Sequence, residues 1–177
     1  MSRRSSTGSE RPKRAAAEAL PSGVDTAIVA VPAAEVLATL RRLEQAGVRS
    51  ADVFSNGFSA DDEAALRAFA AKSTMSINGP NCMGLVNFTD SVPLYPSRPS
   101  PRLAAGPVAL VAQSGSAAIS VMNSINTGLS KVVTVGSEFQ VTAADYLAWL
   151  ADDPATRAVG VVAESIGNPL AFALAAE

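Results

Sequence analysis

From residue 26 onward, two kinds of hydrophobic pattern alternate along the chain. Short unbroken apolar runs rich in β-branched residues, such as residues 26–31, are typical of strands buried on both faces of a sheet. The segments between them place apolar residues three and four positions apart, as in residues 33–46, which predicts amphipathic helices. Because strands and helices alternate, the predicted fold class is α/β with parallel sheets and right-handed crossovers.

The same pattern predicts the individual elements. The predicted strands are residues 26–31, 51–55, 75–77, 107–112, 131–135 and 158–163. The predicted helices are residues 33–46, 62–72, 117–126 and 143–151. Ser59 or Asp61 can cap the second helix and Thr142 the fourth, because short oxygen-bearing side chains satisfy free N–H groups at helix starts.

Composition divides the chain into four parts. Residues 1–22 are basic and rich in Ser, Arg, Pro and Gly, which predicts a disordered tail. Residues 23–88 hold the first group of strands and helices, and residues 107–177 hold the second. Residues 89–106 contain four prolines and no periodicity, which predicts a linker between two domains.

Composition also excludes several classes of function. Hydrophobic residues make up 48% of the chain and charged residues 17%, which indicates a globular chain. The net charge of −2 indicates no nucleic-acid-binding surface, and no apolar run is long enough for a membrane helix. A single cysteine excludes an internal disulfide and fits a reducing, cytoplasmic location. Without histidine, Ser-His-Asp or Cys-His catalysis and a histidine-based metal site are excluded, and we expect no metal.

Ser114, Gly115 and Ser116 follow a predicted strand at its carboxyl end, where ligands of open α/β sheets bind. The free N–H groups of the helix that follows, with the positive end of its dipole, favour an anion. The two hydroxyl groups add donors. An ordinary serine N-cap has the same sequence, so both interpretations stay open.

Other predicted strand ends carry further candidates: Val31, Pro32, Asn56, Gly57 and the segment GPNCMG at residues 79–84. The glycines, proline and asparagine of this segment allow close approach to a ligand, and a tight turn explains them as well. No histidine or cation near Cys82 is evident to lower its pKa, which favours a buried structural thiol over a nucleophile. Glu164 also follows a strand, and both a functional and a plain role stay open for it.

Taken in order, these segments resemble the NDP-forming acyl-CoA synthetases. That family includes the ADP-forming acetate–CoA ligases and is similar to the α subunit of succinyl-CoA synthetase. The matching segments are VDTAIVAVPAAEV, SNGF, GPNCMGLVN, VALVAQSGSAAIS and DYLAWLADDPATRAVGVVAES. The resemblance runs over residues 20–177 and implies part of an acid–thiol ligase that forms acyl-CoA through an acyl phosphate and a phosphohistidine.

The resemblance also implies a role for each segment. Residues 23–88 would be the C-terminal half of a Rossmann-like CoA-binding domain, and residues 107–177 the start of a flavodoxin-like domain. Ser114, Gly115 and Ser116 would hold the phosphoryl group, and Glu164 would bond the phosphohistidine. The residues that would contact coenzyme A are Val31, Pro32, Asn56, Gly57, Pro80, Asn81 and Cys82. The family uses ATP and ADP, a small carboxylic acid, and an ATP-grasp domain or subunit.

The chain departs from the family pattern at three points. Residues 1–19 show no glycine-rich loop for the CoA diphosphate, and the chain has no histidine to carry phosphate. Ser137 stands where the family has asparagine. We therefore expect a segment of a ligase, truncated at both ends and inactive alone. The alternative is a non-catalytic CoA- or acyl-CoA-binding module, or a regulatory part of a protein acetyltransferase.

Overall fold

The computed structural model describes residues 20–96 and 102–177. Nearly all of the tail expected over residues 1–22, and part of the expected linker, lie outside the described residues. The strands are β1 (Thr26–Val29), β2 (Ser50–Val53), β3 (Ser76–Asn78), β4 (Gly84–Asn87), β5 (Val92–Leu94), β6 (Ala105–Ala112), β7 (Leu129–Thr134) and β8 (Ala158–Val162). The helices are α1 (Ala33–Gln45), α2 (Ala60–Ala70), α3 (Gly115–Ser124), α4 (Ala143–Ala151) and α5 (Pro169–Ala176). No helix among the described residues is long and apolar enough to cross a membrane.

Strands β1, β2 and β3 form sheet A, which is parallel with β2 at its centre. One face is apolar and packs against α1 and α2, whose Leu40 and Leu66 are fully buried. Leu40 belongs to a stripe with Val36 and Leu43, because residues three and four apart share one side of a helix. All the helices and strands predicted for residues 26–77 are present in the structure, and their ends differ from the predicted ones by at most a few positions.

The opposite face of sheet A is unusually polar for a parallel sheet. Side chains alternate along a strand, so the registered positions of the three strands share a face. The residues on this face are Thr26, Ile28, Ser50, Asp52, Ser76 and Asn78. Asp52 and Asn78 are nevertheless buried, because sheet B and α4 lie over them.

Sheet B has the order β5-β4-β7-β6-β8. The expectation of parallel sheets is confirmed for sheet A and for β6 with β7 and β8, but β4 and β5 run antiparallel, so sheet B is mixed. Two apolar clusters cover its faces, one beneath α3 and one beneath α4 and α5. Thr142 and Asp145 form the capping box of α4, as the sequence predicts for Thr142.

Strands β4 and β5 were not predicted from the hydrophobic pattern. Both are short, and β5 lies in the stretch that was expected to be linker. Pro93 is accommodated because β5 is an edge strand, where one side of the backbone needs no ladder hydrogen bond. Strand β4 belongs to the first group of elements in sequence but pairs with β7 of the second group, so backbone pairing within sheet B joins the two groups of elements.

A second connection joins the edge of β3 to the segment that follows β7. The N–H groups of Phe139 and Val141 donate to the backbone oxygens of Gly79 (3.0 Å) and Ile77 (3.2 Å). The side chain of Gln140 completes the pairing, because its Oε1 accepts from the N–H of Ile77 at 2.6 Å. The two sheets therefore form one packed unit, and the loops at their strand ends face each other.

Candidate functional site

A cleft of about 990 Å³ opens where the strand ends of the two sheets meet. The candidates that line it from the side of sheet A are Asn56, Asn81 and Cys82, and those from sheet B are Ser114, Gly115, Ser116 and Glu164. The structure therefore gathers both expected groups of residues around one space. Val31, Pro32, Gly57 and Pro80 do not line this cleft.

The start of α3 forms one wall of the cleft. Ser114 is the N-cap, and its Oγ accepts from the N–H of Ala117 at 3.3 Å. The first helical backbone bond runs from Ala118 to the oxygen of Ser114, so the N–H groups of Gly115 and Ser116 precede it and face no intrahelical acceptor. The ordinary cap is thus present, and it leaves N–H donors at the positive end of a ten-residue helix.

Gly115 also lets the GPNCMG loop contact this helix start. A Cβ atom on Gly115 would overlap the side chain of Met83, including its sulfur. Tyr95 holds that sulfur from the other side by donating its hydroxyl hydrogen at 3.6 Å. The contact between Met83 and Gly115 therefore brings the loop of sheet A against the anion-favouring turn of sheet B.

Glu164 is held by a residue that the sequence did not single out, Gln113. The Oε1 atom of Gln113 accepts from the backbone N–H groups of Glu164 (2.6 Å) and Ser165 (3.0 Å). Its Nε2 atom donates to the backbone oxygen of Ser165 at 2.7 Å. Glu164 is itself exposed and lines the cleft.

Glu138 is the second functional candidate that the sequence missed. It has a left-handed backbone (φ 50°) and lines the cleft from the loop that follows β7. Its Oε1 accepts from Gln113 Nε2 at 2.6 Å, and its Oε2 accepts from the N–H of Ala143 at 3.3 Å. Gln113 thus links the ends of three strands of sheet B. The position of Gln113 immediately after a buried strand was the only signal in the sequence that it could belong to the site.

The sheet A side of the cleft carries two exposed amides. Asn56 Nδ2 and Asn81 Oδ1 are 3.5 Å apart, at the limit of a hydrogen bond. Asn81 has a left-handed backbone (φ 58°) that turns its side chain out of the strand-exit loop. Such amides can serve as donors and acceptors for a ligand that lies across both loops.

Cys82 lies at the inner end of the cleft and is buried. Burial, and then the charge of Asp52, raise the pKa of its thiol to about 12. Its Sγ also lies 3.3 Å from the backbone oxygen of Val53, to which the thiol can donate. A thiol in this state is a poor nucleophile, which agrees with the structural role favoured by the sequence.

Of the four candidates outside the cleft, Val31 and Pro80 hold neighbouring loops through their backbone oxygens. Val31 accepts a hydrogen bond from Ser55 Oγ at 2.5 Å, and Pro32 precedes the first turn of α1. Pro80 follows a cis peptide bond, and its oxygen accepts from the N–H of Ser137 at 2.8 Å. Gly57 has a positive φ of 74° and open space around it. A ligand that contacts them must extend beyond the cleft along the carboxyl edge of sheet A.

The charges around the cleft are sparse. Arg67 is the one cationic side chain among the described residues that line it, and its guanidinium carbon lies 3.7 Å from the centroid of the Phe139 ring. Glu138 and Glu164 are the carboxylates. The described residues contain no group of three or more potential metal ligands. The chemistry available here is therefore anion binding by N–H groups and hydrogen bonding by amides.

Comparison with known families covers both sheets. A family model described as a CoA binding domain matches residues 3–87, and one described as a succinyl-CoA ligase like flavodoxin domain matches residues 105–177. The cleft lies between the strand ends of these two matched segments. A CoA-binding domain followed by a succinyl-CoA ligase-like flavodoxin domain is the class of protein that this fold defines.

Relatives named as CoA synthases or ligases align with most of the chain. The chain is 35% identical over 169 residues to a trans-feruloyl-CoA synthase from an unknown prokaryotic organism, covering 89% of this chain and 24% of the relative. It is 33% identical over 162 residues to the α subunit of ADP-forming acetate–CoA ligase I of Pyrococcus furiosus, covering 86% of this chain and 35% of the subunit. The chain thus spans a quarter to about a third of these relatives' lengths.

A solved structure agrees with this comparison. The acetyl-coenzyme A synthetase 1 of Candidatus Korarchaeum cryptofilum, in complex with phosphate and ADP, superimposes with a TM-score of 0.81 at 28% identity. The match covers 89% of this chain and 35% of the synthetase. The two matched domains and these relatives bear out the resemblance to the NDP-forming acyl-CoA synthetases that the sequence implied, and the relatives' names support coenzyme A and ATP or ADP as the cofactors involved.

Proposed function

We propose that this chain supplies the CoA-facing loops and the phosphoryl-holding helix start of an NDP-forming acyl-CoA ligase. The overall reaction converts a carboxylic acid, CoA and a nucleoside triphosphate to acyl-CoA, a nucleoside diphosphate and phosphate. The observation that carries this proposal is the single cleft in which Asn56 and Asn81 face Ser114, Ser116 and Glu164. A thioester-forming site needs both halves, because the thiol must reach the activated acyl group.

The residues of the cleft fit these tasks. The N–H groups of Gly115 and Ser116 would hold phosphate oxygens, as helix starts commonly do. Glu164 would accept a hydrogen bond from the phosphohistidine, which this chain lacks. The amides of Asn56 and Asn81 would bind the pantetheine end of CoA. A volume of about 990 Å³ lies at the upper end of ordinary small-molecule sites, which suits two reactants.

The remaining parts would come from outside this segment. The resemblance implies a histidine-bearing segment and an ATP-grasp domain or subunit as partners. A small carboxylic acid would be the substrate, and a cytoplasmic location belongs to the same proposal. The isolated chain would not form acyl-CoA, because no histidine in it can carry phosphate.

A chimera tests this proposal. Residues 20–177 would replace the matching region of the ADP-forming acetate–CoA ligase II of Archaeoglobus fulgidus, which is 32% identical over 165 residues. We expect ADP release that requires CoA and an acid, measured with a panel of acids. Glu164→Gln and Ser114→Ala should lower it, whereas Ser120→Ala, on α3 outside the cleft, should not. A folded chimera that binds ATP but forms no thioester with any acid would contradict the proposal.

The alternative is a module that binds CoA or acyl-CoA without catalysis. Calorimetry of the 177-residue chain with CoA separates the two proposals. We expect weak or no binding, because no glycine-rich loop for the diphosphate is recognisable in the sequence. Micromolar affinity, together with an inactive chimera, would favour the binding module.

A further inference from the structure

A second cleft, of about 270 Å³, lies on the polar face of sheet A. Asp52 and Asn78 lie on its sheet side, and Tyr146 and Trp149 of α4 form the opposite wall. Leu85 of β4 supplies an apolar side. None of the residues that line it lines the first cleft, so it is a separate space.

The hydrogen bonding beneath this cleft is incomplete. Asn78 is only 4% exposed, and its Nδ2 donates to Asp52 Oδ1 (2.8 Å) and to the backbone oxygen of Thr134 (3.0 Å). Both amide hydrogens are therefore used in the orientation that the two acceptors require. The Oδ1 atom of Asn78 has no hydrogen-bond partner among the described residues. A buried amide oxygen without a donor costs free energy, so the polar face of sheet A is held under strain here.

Asp52 is a buried carboxylate with no cationic partner in the part of the chain that the structure describes. It is 4% exposed, and the ion pairs found among the described residues are Arg49 with Asp25 and Lys131 with Asp153. Burial raises the pKa of Asp52, since the Asn78 hydrogen bond offsets the desolvation only in part. Placing an opposite charge beside such a group favours its ionised form.

The groups around Asp52 favour a cation over an anion. Asp145 also lines the cleft, and burial followed by the charges of Asp52, Cys82 and Asp145 raises the pKa of the Tyr146 hydroxyl. Lys131 lies beside the aromatic wall, and its Nζ is 5.4 Å from the centroid of the Trp149 ring. That ammonium is already paired with Asp153 at 2.5 Å, so it does not neutralise Asp52.

We propose that this cleft binds a small primary ammonium compound, whose charged group pairs with Asp52 and whose alkyl part lies against Leu85 and Trp149. The side chains suit this class, because aromatic rings beside a carboxylate attract organic cations. The volume is just below that of ordinary small-molecule sites, so the ligand is small. A metal ion is a poorer fit, because the described residues offer no cluster of three or more metal ligands.

Trp149 makes the proposal directly testable, because it is the only tryptophan of the chain and half exposed at the cleft. The 177-residue chain is titrated with n-butylammonium chloride while its tryptophan fluorescence is recorded, with sodium chloride keeping the ionic strength equal. The neutral analogue 1-butanol and the donor-free cation tetramethylammonium are titrated in parallel. We expect a saturable change with butylammonium, a weaker one with tetramethylammonium and none with butanol at the same concentrations.

Asp52→Asn keeps the shape of the side chain and an acceptor for Asn78 but removes the charge. We expect it to weaken butylammonium binding about tenfold or more. Asp61→Asn, which removes an exposed carboxylate from the start of α2 outside the cleft, should leave binding unchanged. An unchanged affinity in folded Asp52→Asn, or an equal response to butanol, would overturn the proposal, as would the absence of any saturable response.

The pH dependence of butylammonium binding to the unmodified chain tests the same pairing with Asp52. Butylammonium stays charged below neutral pH, so its affinity should fall as the pH drops through the pKa of Asp52. The other titratable groups facing the ligand are Asp145 and Tyr146, with the Lys131–Asp153 pair beyond Trp149. The Asp145→Asn variant identifies any share due to that carboxylate. An affinity that does not change with pH would rule out Asp52 as the partner of the ammonium.

Discussion

The side-chain oxygen of Gln113 accepts a hydrogen bond from the backbone N–H of Glu164 at 2.6 Å, so the end of β6 fixes the loop that follows β8. The same side chain also reaches Ser165 and Glu138. One residue of the helix-start turn therefore positions both carboxylates of the first cleft. The spacing between Glu164 and Ser114 depends on this link rather than on the strands alone.

Replacing Gln113 with alanine should release the Glu164 loop. We expect a loss of about 1–2 kcal/mol in the free energy of unfolding, because several partly buried hydrogen bonds disappear together. Hydrogen exchange should become faster at Glu164 and Ser165, whose N–H groups lose their acceptor, and amides of sheet A should be unaffected. Gln113→Glu should protect these two amides but place a carboxylate against Glu138. If exchange at Glu164 were equally fast in the alanine variant and the unmodified chain, the positioning role would be wrong.

Gly136 sets how closely the two sheets approach each other. Its φ is 56°, and a Cβ atom there would overlap the backbone oxygen of Pro80 and lie 2.7 Å from that of Asn81. We expect Gly136→Ala to lower the free energy of unfolding by about 2–4 kcal/mol, since backbone strain and a clash with rigid backbone add. Urea denaturation of the variant and of the unmodified chain measures this difference in the free energy of unfolding.

Gly57→Ala is the matched control for Gly136. Its φ of 74° imposes similar strain, but no atom lies within 4 Å of the added Cβ. We expect a cost of only about 1 kcal/mol from this change. Equal costs at the two positions would show that the close approach at Gly136 is not a determinant of stability.

The helices and most parallel strands could be predicted because their signals are local. An unbroken apolar run such as the one ending at Ala112 indicates a buried strand wherever it pairs, and Thr142 indicates a cap from its own neighbours. Strands β4 and β5 could not be predicted, because each is short and β4, to which β5 pairs, gains its stability from pairing with β7, a strand far along the chain. Helix α5 lacked a clear apolar stripe and was missed for that reason, although Asn168 and Pro169 form a recognisable start.

The candidate site was predictable only in part, because the sequence shows local signals but not contacts between distant segments. Ser114 and Glu164 follow strands, so the rule for strand ends in open sheets selects them. Gln113 and Glu138 act through bonds between separate strand ends, and no spacing in the sequence reports such a meeting. Asp52 lies within a strand, where the strand pattern gives no indication of which polar residue the neighbouring sheet will bury.

Cys82 should be almost unreactive in the folded chain. Burial raises the pKa of its thiol to about 12, so very little thiolate exists near neutral pH. We expect iodoacetamide to label it slowly at pH 8 and rapidly after urea is added, as followed by mass spectrometry. Asp52→Asn should speed labelling of the folded chain slightly, because a nearby negative charge is removed. Fast labelling of the folded chain would contradict the structural role and make Cys82 a candidate nucleophile again.

Asn78 donates to the buried carboxylate of Asp52 within sheet A and to the backbone oxygen of Thr134 in sheet B, which makes its loss costly. In Asn78→Ala the carboxylate of Asp52 loses its donor at 2.8 Å, and we expect the free energy of unfolding to fall by about 2–4 kcal/mol at neutral pH. The double variant Asp52→Asn with Asn78→Ala should recover part of this loss, since no charge is then left buried. Strictly additive costs in the two single variants and the double variant would show that the pair is not coupled.

The pH dependence of Asp52→Asn tests the same pair by a different route. Burial raises the folded-state pKa of Asp52 above the ordinary value of 3.8, so the folded chain binds the proton more tightly than the unfolded chain. Ionising Asp52 therefore costs stability as the pH rises above about 4, and the loss is complete above the folded-state pKa. We expect Asp52→Asn to gain stability relative to the unmodified chain over that range and to lose this advantage below pH 4. Urea denaturation at several pH values measures the difference, and a gap between the two chains that stays constant with pH would show that Asp52 is not held in a desolvated site.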